Sequence, residues 1–188
     1  MTCQLLFLGS PILLAAVAQG LCIRYDWLAR IKKPLDLGLS LGGKRIFGDH
    51  KTWRGLAINV AFCGVGSLIQ ARLQREGSLP GWLPLMDYET HAPLVGFLLG
   101  LGMTVGELPN SFAKRRLDIA PGKGGKGLKG IAFFLFDQVD LAVGIWVFLL
   151  FLIGPSLQMV LWSFAITIVC HVAVSMIGYL LGMRKTLL

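Results

Sequence analysis

An all-α integral membrane protein is the fold class this sequence predicts, with about five transmembrane helices, the N-terminus outside, the C-terminus cytoplasmic and two long basic cytoplasmic loops. Three observations predict it. The 188 residues are 55% hydrophobic, with a mean hydropathy of +0.69, which is too apolar for an ordinary soluble domain. Five apolar runs have lengths near the roughly 20 residues that a bilayer span needs. The loops between them alternate in charge. The whole chain, 1–188, reads as a single transmembrane domain.

The first span is about Leu5–Ile23. No basic residue precedes it, so it reads as a retained helix rather than a secretory signal. The second is about Leu56–Leu73, the third about Ala92–Phe112, the fourth about Ile131–Ile153 and the fifth about Leu157–Met183. The loop after the first span carries Arg24, Arg30, Lys32, Lys33, Lys44, Arg45, Lys51 and Arg54 against Asp26, Asp36 and Asp49. The next carries Arg72 and Arg75 against Glu76, Asp87 and Glu89, and is read as a compact external connection with interfacial Trp82 and Tyr88 and with His91 as a cap. The third holds Lys114, Arg115, Arg116, Lys123, Lys126 and Lys129 against Asp118. The fourth is uncharged, and the tail has Arg184 and Lys185. By the positive-inside rule, both long basic loops face the cytoplasm of a multi-pass cell-membrane protein.

Small residues recur four apart at Gly96/Gly100, Gly102/Gly106 and Gly178/Gly182. That spacing lets membrane helices approach closely. Packing inside one bundle is the favoured use, and a homodimer interface is the alternative. Cys3, Cys22, Cys63 and Cys170 lie in or beside apolar runs without C-x-x-C spacing. They read as inert thiols rather than a zinc site or disulfide framework. His171 in the fifth span reads as a buried, hydrogen-bonded side chain.

The chemistry concentrates between Gly106 and Asp140. Asp137 and Asp140 are three apart in an apolar run, so a helix puts both carboxylates on one face. Charged Asp inside a bilayer costs about 2.5–3.5 kcal/mol on insertion scales. A divalent cation, a basic partner or a water-filled cavity must offset it. A hard cation such as Mg²⁺ favours carboxylate oxygen and leaves positions open for phosphate. Glu107 closes the third span. Pro109 follows it, and removes a backbone donor where polar residues begin. Lys114, Arg115 and Arg116 come next, then the stretch PGKGGKGLKG with Lys123, Lys126 and Lys129. Glycine lets backbone N–H groups converge on an anion, and lysine adds charge. The run lacks the G-K-[ST] ending of a Walker A loop. The first basic loop mixes Lys44, Arg45, Lys51 and Arg54 with Asp49, His50 and Trp53, a composition suited to a nucleoside triphosphate.

Gly106-Glu107-x-x-x-Ser111-x-x-Lys114-Arg115 followed by Asp137-x-x-Asp140 resembles the signature of the integral-membrane CTP-dependent lipid cytidylyltransferases, the phosphatidate cytidylyltransferase superfamily. Pro34-x-Asp36-x-Gly38 and the block GDHKTWRG at 48–55 are similar to the CDP-archaeol synthase branch. So are GELPNSF at 106–112 and Lys114-Arg115-Arg116. The resemblance implies transfer of CMP from CTP to a membrane lipid phosphate, giving a CDP-lipid and pyrophosphate. On this branch the lipid is 2,3-bis-O-geranylgeranylglycerol 1-phosphate. It implies a Mg²⁺ site at Asp137 and Asp140 with Glu107, and catalytic phosphate contacts from Lys114 and Arg115. Ser111, Arg116, Lys123, Lys126, Asp49, His50, Lys51 and Arg54 are then substrate-binding. CTP and the lipid phosphomonoester are the implied partners, with no nucleic acid. A phosphatidate cytidylyltransferase making CDP-diacylglycerol is the neighbouring alternative. A small ion-coupled transporter using Asp137 and Asp140 is the alternative of another class, opposed by the lack of an inverted repeat.

Overall fold

The computed structural model describes residues 1–119 and 127–180. This part is mostly helical, with α1 (Thr2–Arg24), α2 (Trp53–Arg75), α3 (Tyr88–Arg116), α4 (Gly127–Leu149) and α5 (Leu157–Leu180). Among the described residues, α1, α2 and α3 are long and apolar enough to cross a bilayer. Shorter apolar stretches occupy Val139–Leu149 and Leu157–Cys170. Lys123, Lys126, Gly182, Arg184 and Lys185 lie outside the described residues, as do the side chains of Lys129 and His171.

The central helix is α3, which packs along α2 on one side and α4 on the other. α1 lies against α2, and α5 against α4. Glycine makes the two close approaches around α3 possible. A Cβ at Gly96 would stand 2.5 Å from the Gly64 Cα of α2. One at Gly106 would stand 2.6 Å from the Asp140 carbonyl oxygen and 2.8 Å from the Gly144 Cα of α4. The glycines of α3 are therefore used inside the bundle. The second approach brings Glu107 and its neighbours beside Asp140.

Three boundaries differ from the sequence expectation, each for a local reason. α3 runs through Pro109 to Arg116 without a break, so the Lys-Arg-Arg run is helical rather than loop. The missing Pro109 donor leaves the later i→i−4 bonds of the helix intact. α2 begins at Trp53 because the Thr52 hydroxyl caps it, accepting from the Gly55 N–H at 3.2 Å. Trp53 and Arg54 thus belong to a first helical turn. α4 ends at Leu149 rather than Ile153.

The connection from α2 to α3 also differs. Tyr88 is not interfacial but fully buried, its ring edge-on to Phe7 at 5.5 Å. Trp82 is exposed, and its carbonyl accepts from Gln4 at 2.8 Å. The cap of α3 is Asp87 rather than His91, with Asp87 Oδ1 accepting from the Glu89 N–H at 3.0 Å.

One element in the first loop departs from the all-helical expectation. β1 (Ser40–Leu41) pairs antiparallel with β2 (Lys44–Arg45). Gly42 and Gly43 form the two-residue turn with φ of 59° and 74°, the left-handed pair that a tight hairpin requires.

Candidate active site

The site begins with the surface of α3. Glu107, Asn110 and Lys114 are spaced i, i+3, i+7, so an unbroken helix presents them on one face. That face meets Asp137 and Asp140 of α4. Lys114 Nζ donates to both carboxylate oxygens of Asp137, at 2.5 and 2.6 Å. Asn110 Nδ2 donates to Asp137 Oδ1 at 2.5 Å and to Asp140 Oδ2 at 2.7 Å. One amide nitrogen therefore bridges the two carboxylates. Asn110 is 9% exposed, and its Oδ1 is buried without a hydrogen-bond partner among the described residues.

Asn110 was not singled out as a site residue from sequence. Its i+3 and i−4 relations to Glu107 and Lys114 are a usable signal once the helix is taken to continue past Pro109.

Glu107, one turn earlier, is occupied by Lys51 from the first loop, which donates to Glu107 Oε2. Among the described residues, no three His, Cys, Asp or Glu are grouped closely enough to hold a metal. Glu107 therefore does not complete a ligand trio with Asp137 and Asp140 in this structure.

The first loop is a folded lid built on Asp36, whose side chain is fully buried. Its carboxylate accepts from the N–H groups of Gly38 at 3.1 Å, Phe47 at 2.9 Å and Gly48 at 3.0 Å. Arg45 Nη2 adds a charged bond at 2.5 Å. Burial works to raise the Asp36 pKa. The Arg45 guanidinium and the three backbone donors outweigh it and hold the carboxyl well below the usual carboxylate range.

Arg116 at the end of α3 docks this lid. Its Nη2 donates to the carbonyls of Lys44 at 2.9 Å and Arg45 at 2.6 Å, and its Nη1 donates to Leu41 O. Lys44 returns the contact, donating to Asp118 at 2.6 Å and to the Arg116 carbonyl at 3.0 Å. The two basic segments expected to share one face do meet there.

The other expected site residues differ in their surroundings. Arg54 is drawn inward, donating to Asp26 at 2.7 Å and to the Trp27 carbonyl at 3.1 Å. The hydrogen bond from Arg54, together with one from Lys32, lowers the Asp26 pKa. Asp49 pairs with Arg45 at 2.8 Å and is exposed, as is His50. Ser111 is half-buried on α3. Arg115 lines a cleft of about 280 Å³ together with Lys44, Arg45, Gly48, Asp49 and Asp118. The Nε and Nη1 of Arg115 are buried without partners among the described residues. A cleft lined by Lys44, Arg45 and Arg115 suits a phosphate. It opens at the C-terminal end of α3, the helix whose face meets the carboxylate pair of α4.

A family model described as CarS-like, CDP-archaeol synthase, matches residues 23–187. The sequence is 35% identical to the CDP-archaeol synthase of Methanosphaerula palustris over 160 residues, covering 80% of this chain and 87% of that one. It is 35% identical to the CDP-archaeol synthase of Methanosarcina barkeri over 169 residues, covering 81% and 89%. A solved structure of an intramembrane enzyme for archaeal membrane lipids biosynthesis matches in fold, with a TM-score of 0.62 at 24% identity over 91% of this chain and 92% of that one.

Proposed function

The chain belongs to the CDP-archaeol synthase family, and on that premise we propose that it transfers CMP from CTP to a membrane lipid phosphate. The lipid is 2,3-bis-O-geranylgeranylglycerol 1-phosphate, and the products are CDP-archaeol and pyrophosphate. The observation that carries the reading to particular residues is the cluster of Lys114, Asn110, Asp137 and Asp140 beside a basic lid.

In the reaction, a lipid phosphate oxygen forms a bond to the α-phosphorus of CTP. The bond from that phosphorus to the bridging oxygen of the β-phosphate breaks, and pyrophosphate leaves. The attacking phosphate is already ionised near neutral pH, so no side chain need remove a proton. Both reactants are anions, and catalysis is largely a matter of aligning them and offsetting their charge. Arg115, which lines the cleft, offers a guanidinium to phosphate, and Lys114 offers an ammonium. The lid residues Asp49, His50 and Lys51 close over the nucleotide, while Arg54 holds the lid's start at Asp26 and Trp27 and Arg116 holds its hairpin.

The donor set fits Mg²⁺. Two carboxylates lie within reach of one amide nitrogen, and the donors are hard oxygens rather than thiolate or imidazole. Magnesium is commonly bound by one or two carboxylates plus substrate phosphate. Asp137 and Asp140 would hold it, and bound there it lowers the charge between the reacting phosphates. Five spans with both basic loops in the cytoplasm would place this site in the cell membrane, open to the compartment that holds CTP.

The test is pyrophosphate release by the purified chain with CTP and Mg²⁺, comparing an isoprenoid-ether lipid phosphate with a diacyl one. Release with the ether lipid is expected. Release only with the diacyl lipid would favour the phosphatidate activity, and no release with either would refute the cytidylyltransferase reading.

A further inference from the structure

The bridging amide of Asn110 has a consequence beyond the two carboxylates it joins. Ionised carboxylates only accept hydrogen bonds, so the nitrogen must face them and the oxygen must face away. That oxygen is left buried and unpartnered among the described residues, in a residue 91% shielded from solvent by its 9% exposure. A buried acceptor without a donor is unfavourable and needs an explanation. The nearby groups supply one. Two carboxylates and an amide oxygen are the ligand types a hard divalent cation takes. Rotation of the amide about its last side-chain bond exchanges nitrogen for oxygen with almost no change in shape.

We propose that Asn110 is a cation-responsive positioning residue: its nitrogen holds Asp137 and Asp140 together when no cation is bound, and its oxygen turns to join them as a ligand when one is. The proposal rests on the Mg²⁺ reading of the carboxylate pair. It names the third protein ligand as an amide of α3 and leaves Glu107 to Lys51. The exchange also ties metal loading to substrate grip. A cation on Asp137 competes with Lys114 for the same oxygens, so loading frees the lysine for phosphate.

The experiment uses the full chain in detergent with Mn²⁺ as probe, read by electron paramagnetic resonance, and melting temperature with and without Mg²⁺. Wild type binds Mn²⁺ and is stabilised by Mg²⁺. Asn110→Leu removes both the nitrogen and the oxygen, and its Mn²⁺ affinity falls on the order of tenfold or more. Asn110→Asp adds a third carboxylate. It melts lower than wild type without a cation, because nothing bridges the like charges, and shows a larger rise with Mg²⁺. This second variant keeps the proposal testable if the Leu variant does not fold. Wild-type Mn²⁺ affinity in Asn110→Leu, or a Mg²⁺-induced rise in Asn110→Asp no larger than wild type, would overturn the role of Asn110. Absence of Mn²⁺ binding to wild type would instead overturn the metal reading beneath it.

Discussion

Asp36 and the pair Asp137/Asp140 are the same side chain in two opposite situations. Asp36 is fully buried and saturated, with three backbone donors and a guanidinium on its two oxygens. Asp137 and Asp140 share one amide, with a single lysine on Asp137. Beside them sits the unpartnered carbonyl oxygen of Asn110. A saturated carboxylate has nothing left to offer a ligand and stabilises the fold. A pair in which Asp140 has a single side-chain donor retains capacity for a ligand, and chemistry is expected there.

The largest expected effect is on the cleft side of this contrast. Asp140→Asn should lower turnover by at least on the order of 10³-fold, while size-exclusion in detergent shows a folded chain. Near-wild-type turnover would remove Asp140 from the site and break the contrast. On the lid side, Asp36→Asn exchanges a charged acceptor for an amide whose nitrogen confronts the same donors. Losing hydrogen bonds to a charged group costs about 1.5–3 kcal/mol. The variant should therefore melt several degrees lower, with a smaller loss of turnover at low temperature than Asp140→Asn. Equal losses in both assays would erase the distinction.

Acid sharpens it further. The Asp36 pKa is depressed in the folded chain, and an unfolded Asp titrates near about 3.9. The unfolded state thus binds protons first, and stability rises with pH. The Asp36 contribution is fully present above about pH 4 and is lost as pH falls toward its depressed value. Melting curves from neutral pH downward should show the gap between wild type and Asp36→Asn closing below about pH 4. A constant gap would contradict the assignment. The smallest effect belongs to the half-exposed pair that joins the two regions. Lys51→Met breaks the contact to Glu107 and should raise KM for CTP only about 2–5-fold with kcat little changed, since such pairs contribute roughly 0–1 kcal/mol. A large fall in kcat would mean that Lys51 acts in the chemistry.

How far these regions are legible in sequence follows from the range of the interactions. The helices follow from apolar run length, and Asp137 with Asp140 from their i, i+3 spacing. The meeting of the two basic segments follows from charge alternation. Asn110 is hidden by Pro109, because the usual penalty for an interior proline suggests a helix end just where the functional face continues. The lid is hidden for another reason. Asp36 gathers donors from Gly38 to Gly48 through turns at Leu37 and Gly38 with φ of 49° and 88°, and no periodic pattern encodes such a turn. Lys51, Arg54 and Arg116 read alike as cations. Only their partners separate a latch, a buried strut and a docking clamp.

The central claim is that cytidylyl transfer occurs at the Asp137/Asp140 pair. Its most direct measurement uses CTP labelled at the α-phosphate, with Mg²⁺ and the isoprenoid-ether lipid phosphate, following label into the lipid phase for wild type and Asp140→Asn. Label entering the lipid with wild type and not with the variant is the predicted result. Label entering equally with both, or with neither, would contradict it.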